Sequence, residues 1–168
     1  LDGTVIGQHL GYARYTIGQR RGLPGGSPAP LFVVALRPER REVVVGSAKD
    51  LMASAVQMEE VNWLGEPLQE GDTCTVQIRY RSKAVPAVVI PHPLAPSALP
   101  LTPQPPSPIL GEGEHIMGLT LALLEPARAI TPGQSAVLYG SDERVLGGGI
   151  IAGSERPAGR ALPIMAEV

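Results

Sequence analysis

The 168-residue sequence is long enough for one domain or two small ones, and its hydrophobic fraction of 43% argues against wholesale disorder. Its 20 Gly and 18 Pro imply frequent turns and disfavour a helix-rich fold. The net charge of −2 excludes a general attraction to polyanions, and the single cysteine excludes a disulfide framework.

The average charge conceals a basic N-terminal segment. Residues 1–48 carry six Arg against three acidic residues, a local balance of +3. This balance fits either a local RNA contact or a solvated arginine-rich face. No apolar run approaches the roughly 20 residues needed to span a bilayer. Because the opening residues also lack signal-peptide features, we expect a cytoplasmic fragment with no membrane partner.

The first 50 residues predict a small β-rich segment. Residues 4–7 and 12–17 are short β-branched and aromatic runs broken by glycine, and residues 22–30 form a Gly- and Pro-rich loop. The clearest hairpin follows over residues 31–46, with a polar turn between two apolar strands. A short connection then marks a domain boundary near residue 50.

From residue 55 onward, short strands follow one another at the spacing of a β-barrel. In the first strand, Glu59-Glu60 interrupts the alternation of apolar residues, as a β-bulge does. Residues 73–81 alternate cleanly, with Tyr80 on the apolar face and with Arg79 and Arg81 on the polar face. This pattern predicts a half-buried antiparallel strand with a basic outer face.

Further strands complete the predicted barrel. Residues 85–90 form a strand whose proline indicates an edge or bulge position, and residues 117–124 form a long apolar strand. Residues 131–134 have Pro and Gly at the centre of a type II turn. A last hairpin joins residues 135–139 to residues 144–151. The fold class is therefore all-β: a small β-rich segment followed by an antiparallel barrel of five or six strands.

The predicted domains are a β-rich segment over residues 1–50, a barrel over 51–152 and a frayed tail over 153–168. Residues 91–114 interrupt the barrel with eight prolines. Because proline lacks the N–H that sheet pairing needs, this segment is predicted to be an inserted loop.

Candidates for catalysis are few. His9, His92 and His115 are far apart in the sequence, and none has metal-ligand spacing from another His or from Cys74. Cys74 lies on the apolar face of its predicted strand, which indicates a buried, unreactive thiol. We therefore expect no catalytic residue and no metal ligand in this chain.

Candidates for binding are clearer. Along a strand, Arg79 and Arg81 would leave the same face about 6.6 Å apart, and arginine forks suit phosphate oxygens. The alternative is a pair of solvated arginines. Arg20-Arg21 could present donors from a glycine-bounded loop, and Gln134 could offer its amide at a turn. Gly147 to Gly149 precede a strand rather than a helix, so a close backbone approach is favoured over a phosphate cradle.

Seven short segments occur together in one order, and together they resemble one family, the bacterial tRNA-specific 2-thiouridylases. The similarity covers about residues 3–90 and 117–152 and corresponds to the central and C-terminal domains. The segments are Val5–His9, Tyr15–Leu23, Asn62-Trp63, Arg79–Arg81, Glu125-Pro126, Ile130–Val137 and Leu146–Ile151.

The resemblance implies a tRNA-uridine 2-sulfurtransferase whose N-terminal domain uses ATP to adenylate the wobble uridine and whose two cysteines deliver sulfur. These parts would lie N-terminal to Leu1, so the chain alone is expected to be inactive and to hold no cofactor. Cys74 matches neither cysteine.

The same resemblance implies that the central domain helps to position tRNA and that the barrel resembles those of translation elongation factors. Carried over by position, Arg79, Tyr80, Arg81 and Gln134 match tRNA-contacting residues, and the Arg20-Arg21 loop also matches. The expected partner is tRNA, with a sulfur-donor protein as a further candidate. The alternatives are a barrel that docks a protein partner such as a sulfur carrier and, less favoured, an independent enzyme.

Overall fold

The computed structural model describes residues 3–23, 29–80, 82–91, 118–156 and 162–168, and these contain ten strands and three short 3-10 turns. The all-β prediction is confirmed. The chain divides into two compact units. The sheet unit comprises Leu1–Ala55, Pro126–Thr131 and Ser154–Val168, and the barrel unit comprises Val56–Glu125 and Pro132–Gly153. The predicted proline-rich insertion, with His92 and His115, lies almost entirely outside the described residues.

The sheet unit contains a four-stranded sheet with strand order β1-β10-β3-β2. The predicted hairpin is confirmed, and its strands pair antiparallel around a 3-10 turn over Pro38–Arg40. Arg41 closes this turn in the left-handed region with φ 51°. The strands are β1 (Val5–His9), β2 (Phe32–Arg37), β3 (Glu42–Gly46) and β10 (Ile164–Glu167).

Two predictions for the sheet unit are wrong. Residues 12–17 do not form a strand: Tyr12–Arg14 is a 3-10 turn, because the positive φ angles of Gly11 (105°) and Gly18 (88°) bend the chain on either side of this segment. The end of the predicted frayed tail is not frayed either, since Ile164–Glu167 form a strand. β10 pairs parallel with β1 and antiparallel with β3, so the sheet is continuous only because the end of the chain lies inside it.

Apolar side chains cover both faces of this sheet. On one face Val33, Val43, Val45 and Met165 are buried together. The other face packs on a second cluster, where Leu51 comes from a 3-10 turn over Ala48–Leu51 that Ser47 and Asp50 cap reciprocally. The second cluster consists of Ile17, Val34, Leu51 and Ala129. Strand alternation and burial therefore agree.

Six strands close into an antiparallel barrel in the order β4-β7-β6-β5-β8-β9. This number is within the predicted five or six. Every second residue of a strand points inward, so Val76 and Leu138, for example, are fully buried. The strands are β4 (Met52–Trp63), β5 (Thr73–Gln77), β6 (Val85–Ile90), β7 (Leu119–Arg128), β8 (Ser135–Tyr139) and β9 (Val145–Glu155).

Glu59 and Glu60 are successive exposed residues within β4, and Glu60 has a φ of 52°, which is compatible with the predicted bulge. The close backbone approach predicted for the glycines of β9 is confirmed. The three glycines of β9 lie against neighbouring backbone: an added Cβ would come within 2.5 Å of the Asn62 carbonyl oxygen at Gly147 and within 2.7 Å of the Glu59 carbonyl oxygen at Gly149.

Pro86 lies in a strand with a neighbour on each side, not in an edge strand. It pairs with Thr75 of β5, whereas the pairing of β6 with β7 begins one residue later, at Ala87. The missing N–H of proline is therefore tolerated because it falls just outside the β6–β7 ladder.

Candidate nucleic-acid interface

The register of the barrel strands brings two predicted binding segments to the same end. Gln77, the last residue of β5, pairs with Val137, and β8 begins two residues before Val137 at Ser135. The chain after Gln77 and the turn before Ser135 therefore leave the barrel side by side. We call this the Arg79 end. The opposite end, where β8 and β9 are joined through Arg144, is the Arg144 end.

The predicted strand over residues 73–81 is shorter in the structure, so Arg79 does not extend from a strand face. β5 ends at Gln77, and the chain reverses: the N–H and the hydroxyl of Ser82 both donate to the Arg79 carbonyl oxygen at 3.0 Å. These bonds use local partners in place of a sheet ladder, so strand alternation no longer applies. Arg81 itself lies outside the described residues.

The reversal moves Tyr80 from the predicted apolar face into solvent, where it is 91% exposed. Arg79 is also exposed. The turn thus presents a guanidinium and an aromatic face next to each other.

The turn that carries Gln134 is built as predicted. Gly133 has a φ of 82°, which a type II turn demands at that position. The backbone of Gly133 and Gln134 is fixed to β9, since the Gly133 N–H donates to the Ile151 carbonyl and the Ile151 N–H donates to the Gln134 carbonyl, both at 2.8 Å. The Gln134 side chain remains exposed.

Arg20 and Arg21 are exposed on a turn of the sheet unit. The preceding residue, Gln19, holds this turn: its side-chain oxygen accepts from the Thr16 N–H at 3.1 Å and its side-chain nitrogen donates to the Arg21 carbonyl at 2.8 Å. Backbone bonds join Gln19 and Gly18 to Val33 of β2. The glycine-bounded arginine pair is therefore a fixed feature of the surface.

Two of the six arginines in residues 1–48 form ion pairs, and one of these pairs uses a carboxylate from outside the segment. Arg37 pairs with Glu42 at 3.1 Å across the β2–β3 hairpin, and Arg41 pairs with Glu167 of β10 at 3.6 Å. Charge summed along the sequence could not reveal the second pair, because its carboxylate is more than a hundred residues away.

Sequence reasoning missed further residues at the Arg79 end. Lys83 follows the turn and is exposed, which adds a cation that the run Arg-Tyr-Arg-Ser-Lys could have signalled. Leu124 of β7 reaches the same end with 64% of its surface exposed, next to the exposed Glu125. This end of the barrel is therefore of mixed polarity, since it carries a carboxylate and an apolar side chain as well as cations.

The structure gives reactive chemistry little support. Cys74 is buried in the barrel, and burial, with a smaller effect of Asp72, raises the pKa of its thiol to about 11. The predicted burial of this thiol is confirmed. His9 is buried as well; its Nδ1 accepts from the Gly11 N–H at 3.2 Å and its ring meets Tyr15 edge-on, which fixes the turn after β1.

A partly buried arginine was also missed. Arg156 donates to the Val34 carbonyl at 2.7 Å, and burial lowers its pKa while nearby Asp50 raises it. Its partner is backbone of the sheet unit, so its role is structural. Within the described ranges, no three His, Cys, Asp or Glu side chains could together hold a metal ion. Among the same residues, no helix is long and apolar enough to cross a bilayer.

Two family profiles match the chain. Residues 1–47 match the profile described as tRNA methyl transferase PRC-barrel domain, and residues 113–151 match the profile described as Aminomethyltransferase beta-barrel domain. The first range contains the β2–β3 hairpin, and the second contains the turn of Gln134. Together they reach both compact units.

Individual proteins match almost the whole chain. The tRNA-specific 2-thiouridylase MnmA of Acidithiobacillus ferrooxidans is 40% identical over 92% of this chain and 38% of its own length. The MnmA of Picosynechococcus sp. is 43% identical over 90% of this chain and 36% of its length. The bifunctional protein NifU/MnmA of Rubrobacter xylanophilus is 38% identical over 90% of this chain and 26% of its length.

The fold and the two profiles define a class: all-β chains that join a PRC-barrel-type segment to an aminomethyltransferase-type barrel. Within that class, the chain belongs to the family of the tRNA-specific 2-thiouridylases, and the resemblance drawn from the ordered sequence segments is confirmed. The chain spans little more than a third of the length of these relatives, 38% of the first and 36% of the second.

Proposed function

We propose that this chain binds and positions tRNA for the 2-thiolation of uridine, the reaction for which its relatives are named, and that the target is the wobble uridine that the family resemblance implies. The observation that carries the proposal is the Arg79 end of the barrel, where an exposed arginine, a 91% exposed tyrosine and the Gln134 turn stand together. Family membership suggests that the bound nucleic acid is tRNA, and the exposed groups suggest where on the barrel it binds.

Each group has a role that suits RNA. Arg79 can donate paired hydrogen bonds to a phosphate, and Tyr80 can stack on an unpaired base without reading its identity. Gln134 can donate to or accept from sugar and base groups at a rigid corner. Arg20 and Arg21 would contact phosphates from the sheet unit. Such contacts fix where the RNA lies and leave its sequence largely unread.

ATP and sulfur chemistry are not assigned to residues of this chain. Gly147 to Gly149 do not fit a nucleotide phosphate, because backbone carbonyls occupy the space that a phosphate cradle would need. Cys74 does not fit a sulfur carrier, because its thiol is buried and protonated. We therefore propose that ATP binds to another part of the complete enzyme. We also propose that the protein is cytoplasmic and that this chain alone does not thiolate tRNA.

The test is a gel shift of the 168-residue chain with transcribed tRNA at about 0.05 and 0.2 M salt. Arg79→Ala with Tyr80→Ala should weaken binding at least about tenfold, since an arginine–phosphate bond and a stacked base contribute about 1–3 kcal/mol each. The matched control is Arg144→Ala, which removes a 76% exposed arginine from the opposite end of the barrel. Equal losses in both variants would contradict the proposal, as would binding insensitive to salt.

A second candidate is a docking module for a protein such as a sulfur carrier. It is favoured by β1, an edge strand of the described sheet that carries exposed Val5 and is followed by exposed Leu10. Edge strands accept added strands from partner proteins. Val5→Thr with Leu10→Ser should leave tRNA binding unchanged and should weaken only a protein complex.

A further inference from the structure

One exposed-face glutamine of the barrel makes an unusually complete set of hydrogen bonds. The side-chain nitrogen of Gln77 donates to the Tyr80 carbonyl at 3.3 Å and to the Ser82 carbonyl at 3.0 Å. Its side-chain oxygen accepts from the Tyr139 hydroxyl at 3.0 Å. Gln77 thus binds two backbone carbonyls of the chain reversal that carries Arg79 and Tyr80.

Donor and acceptor chemistry fixes the orientation of this amide. A backbone carbonyl can only accept, so the NH₂ of Gln77 must face Tyr80 and Ser82. The amide oxygen must then face Tyr139, whose hydroxyl must donate. Tyr139 belongs to β8, 62 residues away in sequence, and its β-strand holds it rigidly. The hydrogen bonds of Gln77 therefore fix the conformation of the turn relative to β8 of the barrel.

We propose that Gln77 and Tyr139 are positioning residues, which hold the Arg79–Tyr80 turn in the conformation that meets RNA. The inference rests on the proposed function and deepens it. Neither side chain needs to touch RNA: Gln77 acts through two carbonyls, and Tyr139 acts through Gln77. We refer to the pair as the Gln77 brace.

The brace matters because it connects the turn to a second strand. The bonds from Ser82 to the Arg79 carbonyl close the turn on itself, whereas Gln77 and Tyr139 join it to β8. A turn that samples several conformations binds with an affinity reduced by the fraction that is competent. If that fraction falls to about a fifth, the apparent Kd rises about fivefold.

The first variant is Gln77→Met, which keeps the length of the side chain and removes its hydrogen bonds. We expect a roughly three- to tenfold rise in the Kd for transcribed tRNA, which reflects the change in competent fraction, with an unchanged salt slope because no charge is removed. Tyr139→Phe should have a smaller effect of the same kind, since Gln77 keeps its donors. Gln77→Glu should be at least as harmful as Gln77→Met, because a carboxylate faces two carbonyls that it cannot donate to.

The matched control is Gln69→Met. Gln69 lies in the loop before β5, at the Arg144 end, and its side-chain nitrogen donates to the Pro67 carbonyl at 3.2 Å. It is thus another exposed glutamine that braces a loop through a carbonyl, in the same unit. Its substitution should leave the Kd for tRNA unchanged.

A double-mutant cycle separates positioning from a general loss of structure. When Arg79 and Tyr80 are already alanine, Gln77→Met should have little further effect on the Kd, because the groups that it positions are gone. Equal effects in both backgrounds would overturn the inference and indicate that Gln77 contacts RNA or supports the fold. An unchanged Kd in the wild-type background would overturn it as well.

The two proposals fail in different ways. If Arg79→Ala with Tyr80→Ala leaves binding unchanged, the proposed interface is wrong and the brace has nothing to position. If that variant weakens binding but Gln77→Met does not, the interface stands and only the brace is refuted.

Discussion

Each compact unit has an arginine-bearing turn in which a glutamine side chain bonds to the backbone. The two glutamines differ in the group from which they accept a hydrogen bond. Gln19 braces the Arg20-Arg21 turn, and Gln77 braces the Arg79 turn; in both cases a side-chain amide donates to a carbonyl of the turn. The acceptor side differs. Gln19 accepts from the Thr16 N–H three residues away, whereas Gln77 accepts from Tyr139 on another strand.

This difference separates a local brace from a long-range one. Both side-chain bonds of Gln19 are made within the segment from Thr16 to Arg21, and only backbone bonds join that segment to β2. The Gln77 turn needs a closed barrel, since β8 must lie beside β5 before Tyr139 can reach the amide. The turns also differ in what they display: two guanidiniums at Arg20-Arg21, and a guanidinium with an aromatic ring at Arg79-Tyr80.

Tyr80→Ala gives the largest expected effect and tests that second difference. If Tyr80 stacks on a base, its removal should weaken tRNA binding by about 1–3 kcal/mol, or roughly 5- to 150-fold, with no change in salt slope. Tyr80→Trp should restore binding because stacking requires only a flat ring. Titration over a series of salt concentrations measures both quantities. A lower slope in Tyr80→Ala would show that the ring acts by positioning a cation.

Arg20→Ala with Arg21→Ala should show the opposite signature. Exposed ion pairs contribute about 0.2–1 kcal/mol each, so affinity should fall about 2- to 30-fold. The slope of log K against log salt should become shallower by about one for each phosphate that is no longer bound. Arg40→Ala, which removes an exposed arginine from the hairpin of the same unit, is the control. A reduced affinity with an unchanged slope would mean that this turn does not bind phosphate.

Trypsin cleavage should report each brace separately. Trypsin cuts after arginine, and a turn must open before it fits a protease. Gln19→Met should speed cleavage after Arg20 and Arg21 a few-fold, and Gln77→Met should do so after Arg79. Tyr139→Phe is the informative variant, because it should sensitise only the Arg79 turn. Mass spectrometry of the first fragments identifies the sites. Equal sensitisation of both turns by Tyr139→Phe would contradict a local brace at Gln19.

The two turns also show how far sequence reasoning reaches. Alternation predicted the barrel strands, and the Pro-Gly pair predicted the turn before Gln134, because period and turn chemistry are local properties. The interruption of alternation at Glu59-Glu60 was visible for the same reason. Gln77 lies within the segment whose alternation predicted β5, but its function was not foreseen.

What the sequence did not reveal depends on pairs that are distant along the chain. Alternation continues through Tyr80 in the sequence, yet β5 ends at Gln77, because the Gln77 side chain supplies donors to carbonyls that a longer strand would have given to a neighbour. The carboxyl terminus was predicted to fray because its pattern is weak, and the parallel partner of β10, β1, lies at the other end of the sequence. No local pattern carries such information.

Cys74 gives the smallest expected effect and checks that the brace variants leave β5 intact. Its folded pKa of about 11 exceeds the ordinary value of 9.0, so the buried thiol contributes stability that is fully present below about pH 9 and is lost as the pH rises through 11.

At about pH 8 only roughly a thousandth of the folded thiol is thiolate, and iodoacetamide should label it very slowly. Because the sequence has one cysteine, the labelling rate reports β5 alone. Gln77→Met and Tyr139→Phe should keep the wild-type rate at that pH, since the turn opens above an unchanged barrel. Rapid labelling in either variant would show that the Gln77 side chain stabilises β5 itself and not only the turn. The contrast between the Gln19 and Gln77 turns would then be only a difference in the stability of the fold.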